Sequence, residues 1–193
     1  MVRETMINQS KQAFIHALFR LLETEDWTDV TVSQLALESG YSRRTYYRYF
    51  DSPRAILNTM FDQQLTAYRA SFQTPIRPDQ IPNHFIAFIW PQRQKIQILV
   101  RRDLFVPLLT QHLSAMVDMV LDISVPWRQH TSSEAEMAYR YAITYSLGGF
   151  WILLDSVFRN EVLPTPQQIG GALTAALTEI QAQTTATRMQ RQE

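Results

Sequence analysis

The residues best suited to chemistry in this sequence are arginines and hydroxyl side chains between Thr31 and Arg54. From Tyr41 to Arg54 the chain has four arginines and one acidic residue, Asp51, although its formal net charge is +0. Guanidinium groups pair with phosphates and guanine edges, and hydroxyl groups bond to phosphate oxygens. A basic segment in a neutral chain indicates a polyanionic partner, of which double-stranded DNA is the best match. Solvated arginines on an ordinary helical hairpin are the alternative.

Two short helices separated by a tight turn are predicted to hold these side chains. Thr31 or Ser33 is placed to cap a first amphipathic helix, and Gly40 tolerates the left-handed backbone that ends it. Ser42 is placed to cap a second helix, Arg43–Phe50, which has two aromatic residues four apart on its inner face. A helix, a short turn with Gly and a basic second helix form a helix-turn-helix motif.

The segment Thr31–Phe50, TVSQLALESGYSRRTYYRYF, resembles the DNA-binding signature of the TetR family of bacterial transcriptional regulators. The shared features are Thr-Val, a short helix with Ala, a Gly, and then Ser-Arg-x-Thr-aromatic-Tyr-x-Tyr/His-Phe. The sequence departs from the family at Tyr46, where Phe is more common, and a buried hydroxyl there needs a partner or a wet edge. The resemblance implies an all-α homodimer with a small N-terminal DNA-binding domain. A larger C-terminal domain would bind a ligand and dimerise.

The individual DNA contacts are predicted from residue type and position. Base contacts are expected for Arg43, Arg44 and Thr45. Phosphate contacts are expected for Thr31, Ser33, Ser42, Tyr47, Arg48, Tyr49 and Arg54. Arg54 lies in the first turn of the next helix, where backbone N–H groups already favour an anion, and the resemblance implies a phosphate contact there. Two recognition helices would enter successive major grooves of a near-palindromic operator.

Composition argues against several other classes of protein. The chain has no Cys, which excludes disulfides and thiolate metal sites, and its four His residues show no ligand spacing. Motifs for nucleophilic catalysis, phosphate loops and dinucleotide binding are missing, so we predict neither enzymatic activity nor a cofactor. The longest apolar run, Ala142–Leu154, is shorter than the roughly 20 residues of a membrane span. We therefore predict a cytoplasmic protein without a membrane partner. A small-molecule-binding or enzymatic helical protein with an incidental helix-turn-helix is the alternative.

Hydrophobic periodicity predicts about nine helices in an all-α chain. The predicted division is residues 1–52 for the three-helix DNA-binding domain, with its motif at 31–50, residues 53–73 for a connecting helix, residues 74–183 for the C-terminal domain and residues 184–193 for a frayed tail. Ser52-Pro53 is a start signal for the connecting helix, and the three prolines of Thr74–Pro82 mark the domain boundary. The segment Leu104–Asp122 is predicted to be a single helix.

The last two predicted helices favour a homodimer. From Tyr139 to Phe158 the sequence is apolar nearly all round, so this helix must be covered on more than one side. The interface is predicted at small residues of both helices and at one larger residue, Ile180, of the final helix. The small residues are Ala138, Ala142, Gly149, Ala172 and Ala176. Two helices from each subunit would form a four-helix bundle across a two-fold axis. Burial within one subunit is the alternative.

Polar and aromatic residues that interrupt the apolar helices are predicted to line a pocket for an unknown small-molecule effector. They are Trp90, Arg101, Arg102, His112, Tyr141, Tyr145 and Trp151. Ligand pockets are mostly apolar with a few placed polar groups, although core aromatics and surface charges are the alternative for each position. The stretch Tyr139–Leu173 is also loosely similar to the TetR subgroup that resembles the dihydroxyacetone kinase regulator of Gram-positive bacteria. That similarity supports an architecture and names no ligand.

Overall fold

The computed structural model describes residues 2–72, 80–123 and 133–175, and in these ranges the chain is helical without a strand. The helices are α1 (Val2–Thr24), α2 (Val32–Ser39), α3 (Arg43–Tyr49), α4 (Pro53–Ala70), α5 (Ile81–Ile89), α6 (Arg93–Arg101), α7 (Phe105–Gln111), α8 (Leu113–Ile123) and α9 (Ser133–Phe158). Single 3-10 turns occupy Trp27–Asp29 and Trp90–Gln92. Residues 166–175 form a further helical segment. The predicted all-α class is confirmed.

The N-terminal helices pack around one apolar stripe of α1. Phe14, Leu18 and Leu22 recur every four residues, so they share one helix face, and each is at most 1% exposed. Leu35 of α2 and Tyr46 of α3, both 0% exposed, belong to the same core cluster. The small helices α2 and α3 are therefore fixed against a long helix, which gives the turn between them a rigid support.

Helix α4 connects this N-terminal unit to the rest of the chain. Its start follows the predicted signal, because the Ser52 hydroxyl accepts the Ala55 N–H and Pro53 occupies the first turn. The helix ends at Ala70. It contacts α1 on one side and α8 on the other, so a displacement in the C-terminal part would reach the N-terminal helices through it.

The segment Leu104–Asp122 is two helices, and the prediction of a single one was wrong. Helix α7 ends at Gln111, and His112 has φ −102° and ψ 10°, which is outside the helical range, before α8 begins at Leu113. The periodic apolar residues continue through this break, which hid it from sequence analysis. The His112 side chain instead turns toward polar groups of α4. A contact between distant helices thus interrupts a locally favourable helix.

Helix α9 has one buried face and one exposed apolar face. Its buried residues, Ile143, Trp151, Leu154 and Phe158, face α6, α7 and α8. The opposite face exposes Met137, Tyr141, Tyr145 and Ile152, with Tyr145 86% exposed. By length and composition alone the helix could cross a membrane. Only 17% of its most apolar stretch of 18 residues is buried within the described chain. In the described chain its outer face is therefore uncovered.

Some predictions fall on residues outside the described ranges. These are the interface positions Ala176 and Ile180, the tail at 184–193, and residues 74–79 of the proline-containing boundary. The start of the final helix lies within the described ranges. The Thr165 hydroxyl accepts the Gln168 N–H at 3.2 Å, while the Gln168 amide oxygen accepts the Thr165 N–H at 2.8 Å, which is a reciprocal cap.

Candidate nucleic-acid interface and ligand cavity

Three local features build the turn that presents α3. The Thr31 hydroxyl accepts the Gln34 N–H, and the Gln34 amide oxygen accepts the Thr31 N–H, so α2 begins at a full capping box. Gly40 ends α2 with φ 74°, a conformation that costs a side-chain-bearing residue about 1–2 kcal/mol. The Ser42 hydroxyl then accepts the Thr45 N–H at 3.1 Å to start α3. The predicted caps and turn are confirmed.

Helix α3 presents a basic outer face. Arg43, Arg44 and Arg48 are exposed, and in the described part of the chain none of them has an acidic partner. Tyr47 is 57% exposed beside them, while Phe50 packs inward. The guanidinium groups are therefore free to pair with an external anion.

The hydroxyl residues predicted to meet DNA have mixed surroundings. Thr31, Ser33 and Ser42 are exposed. Thr31 donates its hydroxyl proton to Gln34, and Ser42 shares a hydrogen bond of 3.0 Å with Thr45. Two of these hydroxyls, those of Thr31 and Ser42, therefore also cap helices. Tyr49 is half-buried at the end of α3. A hydroxyl oxygen keeps further hydrogen-bonding capacity after one bond, so cap and phosphate roles are compatible.

Tyr46 occupies the centre of the aromatic core beneath this face. Its ring is 0% exposed and makes edge contacts with Phe14 at 5.5 Å and with Tyr47 at 5.2 Å. Its hydroxyl is buried and has no hydrogen-bond partner among the residues that the structure describes. Burial, together with nearby Tyr47 and Asp51, raises the pKa of Tyr46 to about 12. The hydroxyl is thus an unmet polar group, which weakens this domain.

We expect Tyr46→Phe to stabilise the protein by about 1 kcal/mol at neutral pH, since it removes a buried unsatisfied hydroxyl and keeps the ring. The gain should grow from pH 10 toward pH 12, because the unfolded tyrosine ionises at its ordinary pKa of 10.0 while the folded one does not. Urea unfolding at pH 7 and pH 11 measures both effects. A Phe variant less stable than the parent would show that the hydroxyl has a partner in solution.

A cavity of about 240 Å³ lies in the C-terminal part of the chain, between α4, α5, α8 and α9. Phe85, Met116, Met119, Phe150 and Trp151 are among the side chains that line it. A smaller cavity of about 90 Å³ adjoins it and is bordered by α4, α5, α6 and α7. An engineered apolar cavity of about 150 Å³ binds benzene, so the larger cavity has room for a small organic molecule.

The seven residues predicted for the pocket do not gather at this cavity. Trp151 lines it, whereas Trp90, Arg101, Arg102, His112, Tyr141 and Tyr145 lie elsewhere. Tyr141 and Tyr145 lie on the exposed face of α9, and Arg101 is an exposed residue whose guanidinium donates to Gln97 O of its own helix. Trp90 packs near Phe158 at the 3-10 turn. The apolar lining from α5 and α8 was missed because nothing in its sequence differs from ordinary core.

Arg102 and His112 instead lie between the two parts of the chain. The Arg102 guanidinium donates to the Leu22 carbonyl at 2.9 Å and to the Asp26 carboxylate, both at the end of α1. The His112 ring stacks on Phe61 of α4, with 4.2 Å between ring centroids. These two polar residues, which directly follow α6 and α7, therefore mark contacts between the two parts of the chain.

One polar stripe of α4 receives the junction between α7 and α8. Arg54, Asn58 and Asp62 follow at four-residue spacing, so they share one face of the helix. Arg54 donates to the Gln111 amide oxygen at 3.2 Å. The His112 Nε2 lies 3.3 Å from the Asn58 oxygen, and its Nδ1 lies 3.8 Å from the Asp62 carboxylate. Arg54, predicted to meet a phosphate, thus also contacts the C-terminal part of the chain.

Comparison with known proteins agrees with this arrangement. Residues 14–60 match the family described as "Bacterial regulatory proteins, tetR family". A stretch of 57 residues is 35% identical to the HTH-type transcriptional regulator EthR of Mycolicibacterium smegmatis, covering 30% of this chain and 26% of that regulator. The chain thus spans about a quarter of the length of this curated relative.

The fold of the whole chain also has a solved counterpart. The TetR family repressor AlkX from Dietzia sp. strain DQ12-45-1b, implicated in biodegradation of n-alkanes, superposes with a TM-score of 0.54 at 18% sequence identity. The superposition covers 87% of this chain and 95% of AlkX. The chain therefore shares its fold with this repressor, and its residues 14–60 match the tetR family model.

Proposed function

We propose that this protein is a ligand-responsive transcriptional repressor that binds a near-palindromic DNA operator as a homodimer. The observation that supports DNA binding most directly is the outer face of α3, where three exposed arginines have no acidic partner among the described residues. A single recognition helix contacts few base pairs, so a palindromic site and a two-fold dimer supply the remaining specificity. A cytoplasmic location and a role without a catalytic step are part of this proposal.

We expect Arg44→Ala and Tyr47→Phe to weaken DNA binding in different ways. Loss of a guanidinium–base contact should cost about 1–3 kcal/mol on the operator and less on random duplex, which relaxes sequence preference. Loss of a phosphate-bonding hydroxyl should weaken both duplexes by the same factor. Titration of both duplexes at one fixed salt concentration measures the two patterns. An equal loss on operator and random DNA for Arg44→Ala would contradict its assignment to base contact.

A salt series separates the proposed function from that of a helical binding protein with an incidental helix-turn-helix. Each phosphate contact releases counterions, so the logarithm of the binding constant should fall linearly with the logarithm of the salt concentration, with a slope of about −0.9 per contact. Removing one phosphate contact, for example with Arg48→Ala, should reduce the slope by about 1. A duplex affinity that does not change with salt would refute DNA binding as the function of α3.

The homodimer is proposed from the outer face of α9. Met137, Tyr141, Tyr145 and Ile152 form an exposed apolar stripe on this helix, opposite its buried side chains. Ala138, Ala142 and Gly149 are also exposed and would let a second copy approach closely. A second copy suits this face better than a membrane, because Arg140 pairs with Asp118 of α8 beside it.

Ligand response is proposed from the cavity that borders α4, the helix that meets both parts of the chain. A ligand would act by binding one arrangement of the DNA-binding domains better than another. The resemblance favours repression over activation as the direction of regulation. Membership of the subgroup similar to the dihydroxyacetone kinase regulator stays a prediction from the sequence of Tyr139–Leu173.

A further inference from the structure

Among the residues that the structure describes, those that line the cavity of about 240 Å³ carry no charge. The lining side chains are aliphatic, aromatic, thioether or hydroxyl-bearing, and Trp151 adds an indole N–H. Lys95 lines only the smaller neighbouring cavity, and its ammonium group lies 5.5 Å from the centre of the Phe19 ring. A ligand charge inside the larger cavity would lose its hydration without gaining a counter-ion, which is strongly unfavourable.

Two hydroxyl groups of the lining, those of Ser146 and Tyr68, have local partners. The Ser146 hydroxyl donates to the Ala142 carbonyl at 2.8 Å, within its own helix. The Tyr68 hydroxyl donates to the Ile81 carbonyl at 3.5 Å, and burial raises the pKa of Tyr68, so it stays neutral. Trp151 differs, because its side chain lines the cavity while its indole N–H is covered by neighbouring atoms and has no hydrogen-bond partner among the described residues. A small shift of the lining would open this donor to a ligand. An unpaired buried donor gains when a ligand supplies an acceptor.

We propose that the effector is a neutral, largely apolar molecule with one hydrogen-bond acceptor, such as a ketone, ester or ether, which accepts from the Trp151 indole. This inference rests on the proposed ligand response, although its test needs no DNA. The volume sets the size at roughly one substituted aromatic ring or a short branched chain. The uncharged lining would select a neutral ligand over a charged one, and the unpaired indole N–H would orient that ligand in the cavity.

Four probes of nearly equal size test the ligand class by isothermal titration at pH 7. Acetophenone is neutral and has an acceptor, ethylbenzene is neutral without one, and benzoate and benzylammonium are charged. We expect acetophenone to bind most tightly, ethylbenzene about tenfold more weakly, and both ions at least about 100-fold more weakly. Binding of benzoate or benzylammonium within a few fold of acetophenone would overturn the inference, as would a failure of all four probes to bind.

Two variants test the assigned site. Trp151→Phe keeps an aromatic ring and removes the N–H, so it should weaken acetophenone about tenfold and change ethylbenzene by less than about twofold. The matched control Trp90→Phe, outside the cavity, should change neither. Val120→Phe adds a ring to the lining of α8 and should abolish binding of both neutral probes, which locates the site independently of Trp151. An acetophenone affinity unchanged by Trp151→Phe would refute the donor role.

The same experiments separate this inference from the proposed function. Selective acetophenone binding together with salt-independent duplex binding would support the cavity chemistry and refute the regulator. Salt-dependent operator binding together with equal affinity for neutral and charged probes would support the regulator and refute the cavity chemistry.

Discussion

Gly149→Glu is expected to convert the proposed homodimer into a monomer and to abolish specific operator binding. A Cβ at Gly149 would meet no atom of the described part of the chain within 4 Å, so the new side chain fits this part of the subunit without a clash. Glu also favours a helix over Gly by roughly 0.5–1 kcal/mol, so the fold should not suffer. At a two-fold interface, however, two unpaired carboxylates would be buried close together. We expect the dimer dissociation constant to rise by at least about 1,000-fold.

Sedimentation velocity at micromolar concentration measures this change, and circular dichroism checks that the helices remain. Ala87→Glu is the control, because it adds the same charge at an exposed position of α5, away from α9. The control should remain dimeric. A dimeric Gly149→Glu protein would refute the α9 interface, and a monomeric parent would refute the homodimer itself.

The features of this fold that sequence analysis predicted depend on neighbouring residues. The caps at Thr31, Ser42 and Ser52 and the left-handed Gly40 involve bonds across at most a few positions. Their side chains are short and polar, and their geometry does not require the rest of the chain to be known. The helix-turn-helix was therefore predictable in detail from one sequence.

The ligand cavity depends on the placement of four helices and could not be predicted in the same way. Phe85 and Met119 are typical core residues in their own helices, and they line a cavity only because α5 and α8 stand apart there. Arg102 and His112 looked like pocket residues because each is polar within an apolar helix. In the structure they satisfy their polar groups across the domain boundary, with Leu22 and Asn58. A polar residue within a mostly apolar stretch thus indicated a contact with a distant residue, but the sequence did not show which residue that was.

The same contacts suggest how the cavity and the DNA-binding domain communicate. Helix α8 lines the cavity through Met116 and Met119, and it begins one residue after His112. His112 contacts α4 at Asn58 and Asp62, one and two turns from the residue Arg54 that was predicted to bind phosphate. A ligand that displaces α8 would therefore move α4, and a moved α4 would change the spacing of the two recognition helices.

His112→Ala is expected to break this communication while both binding sites keep working. In the parent protein, acetophenone should weaken operator binding by a factor in the range of about 5–150, and operator should weaken acetophenone binding by the same factor. In His112→Ala that factor should fall to about 1, because the variant loses the ring stacked on Phe61 and the bond to Asn58. Each separate affinity should change by less than about threefold, because the variant alters neither α3 nor the cavity lining.

The matched control is His16→Ala, since His16 is exposed on α1 and lines neither cavity. Operator titrations with and without acetophenone, and acetophenone titrations with and without operator, measure the factor in both directions for each protein. Full coupling in His112→Ala would show that another contact, such as Arg102 with Leu22, links the domains. Unequal factors in the two directions would mean that acetophenone also binds outside the cavity, because a single pair of linked sites must be reciprocal.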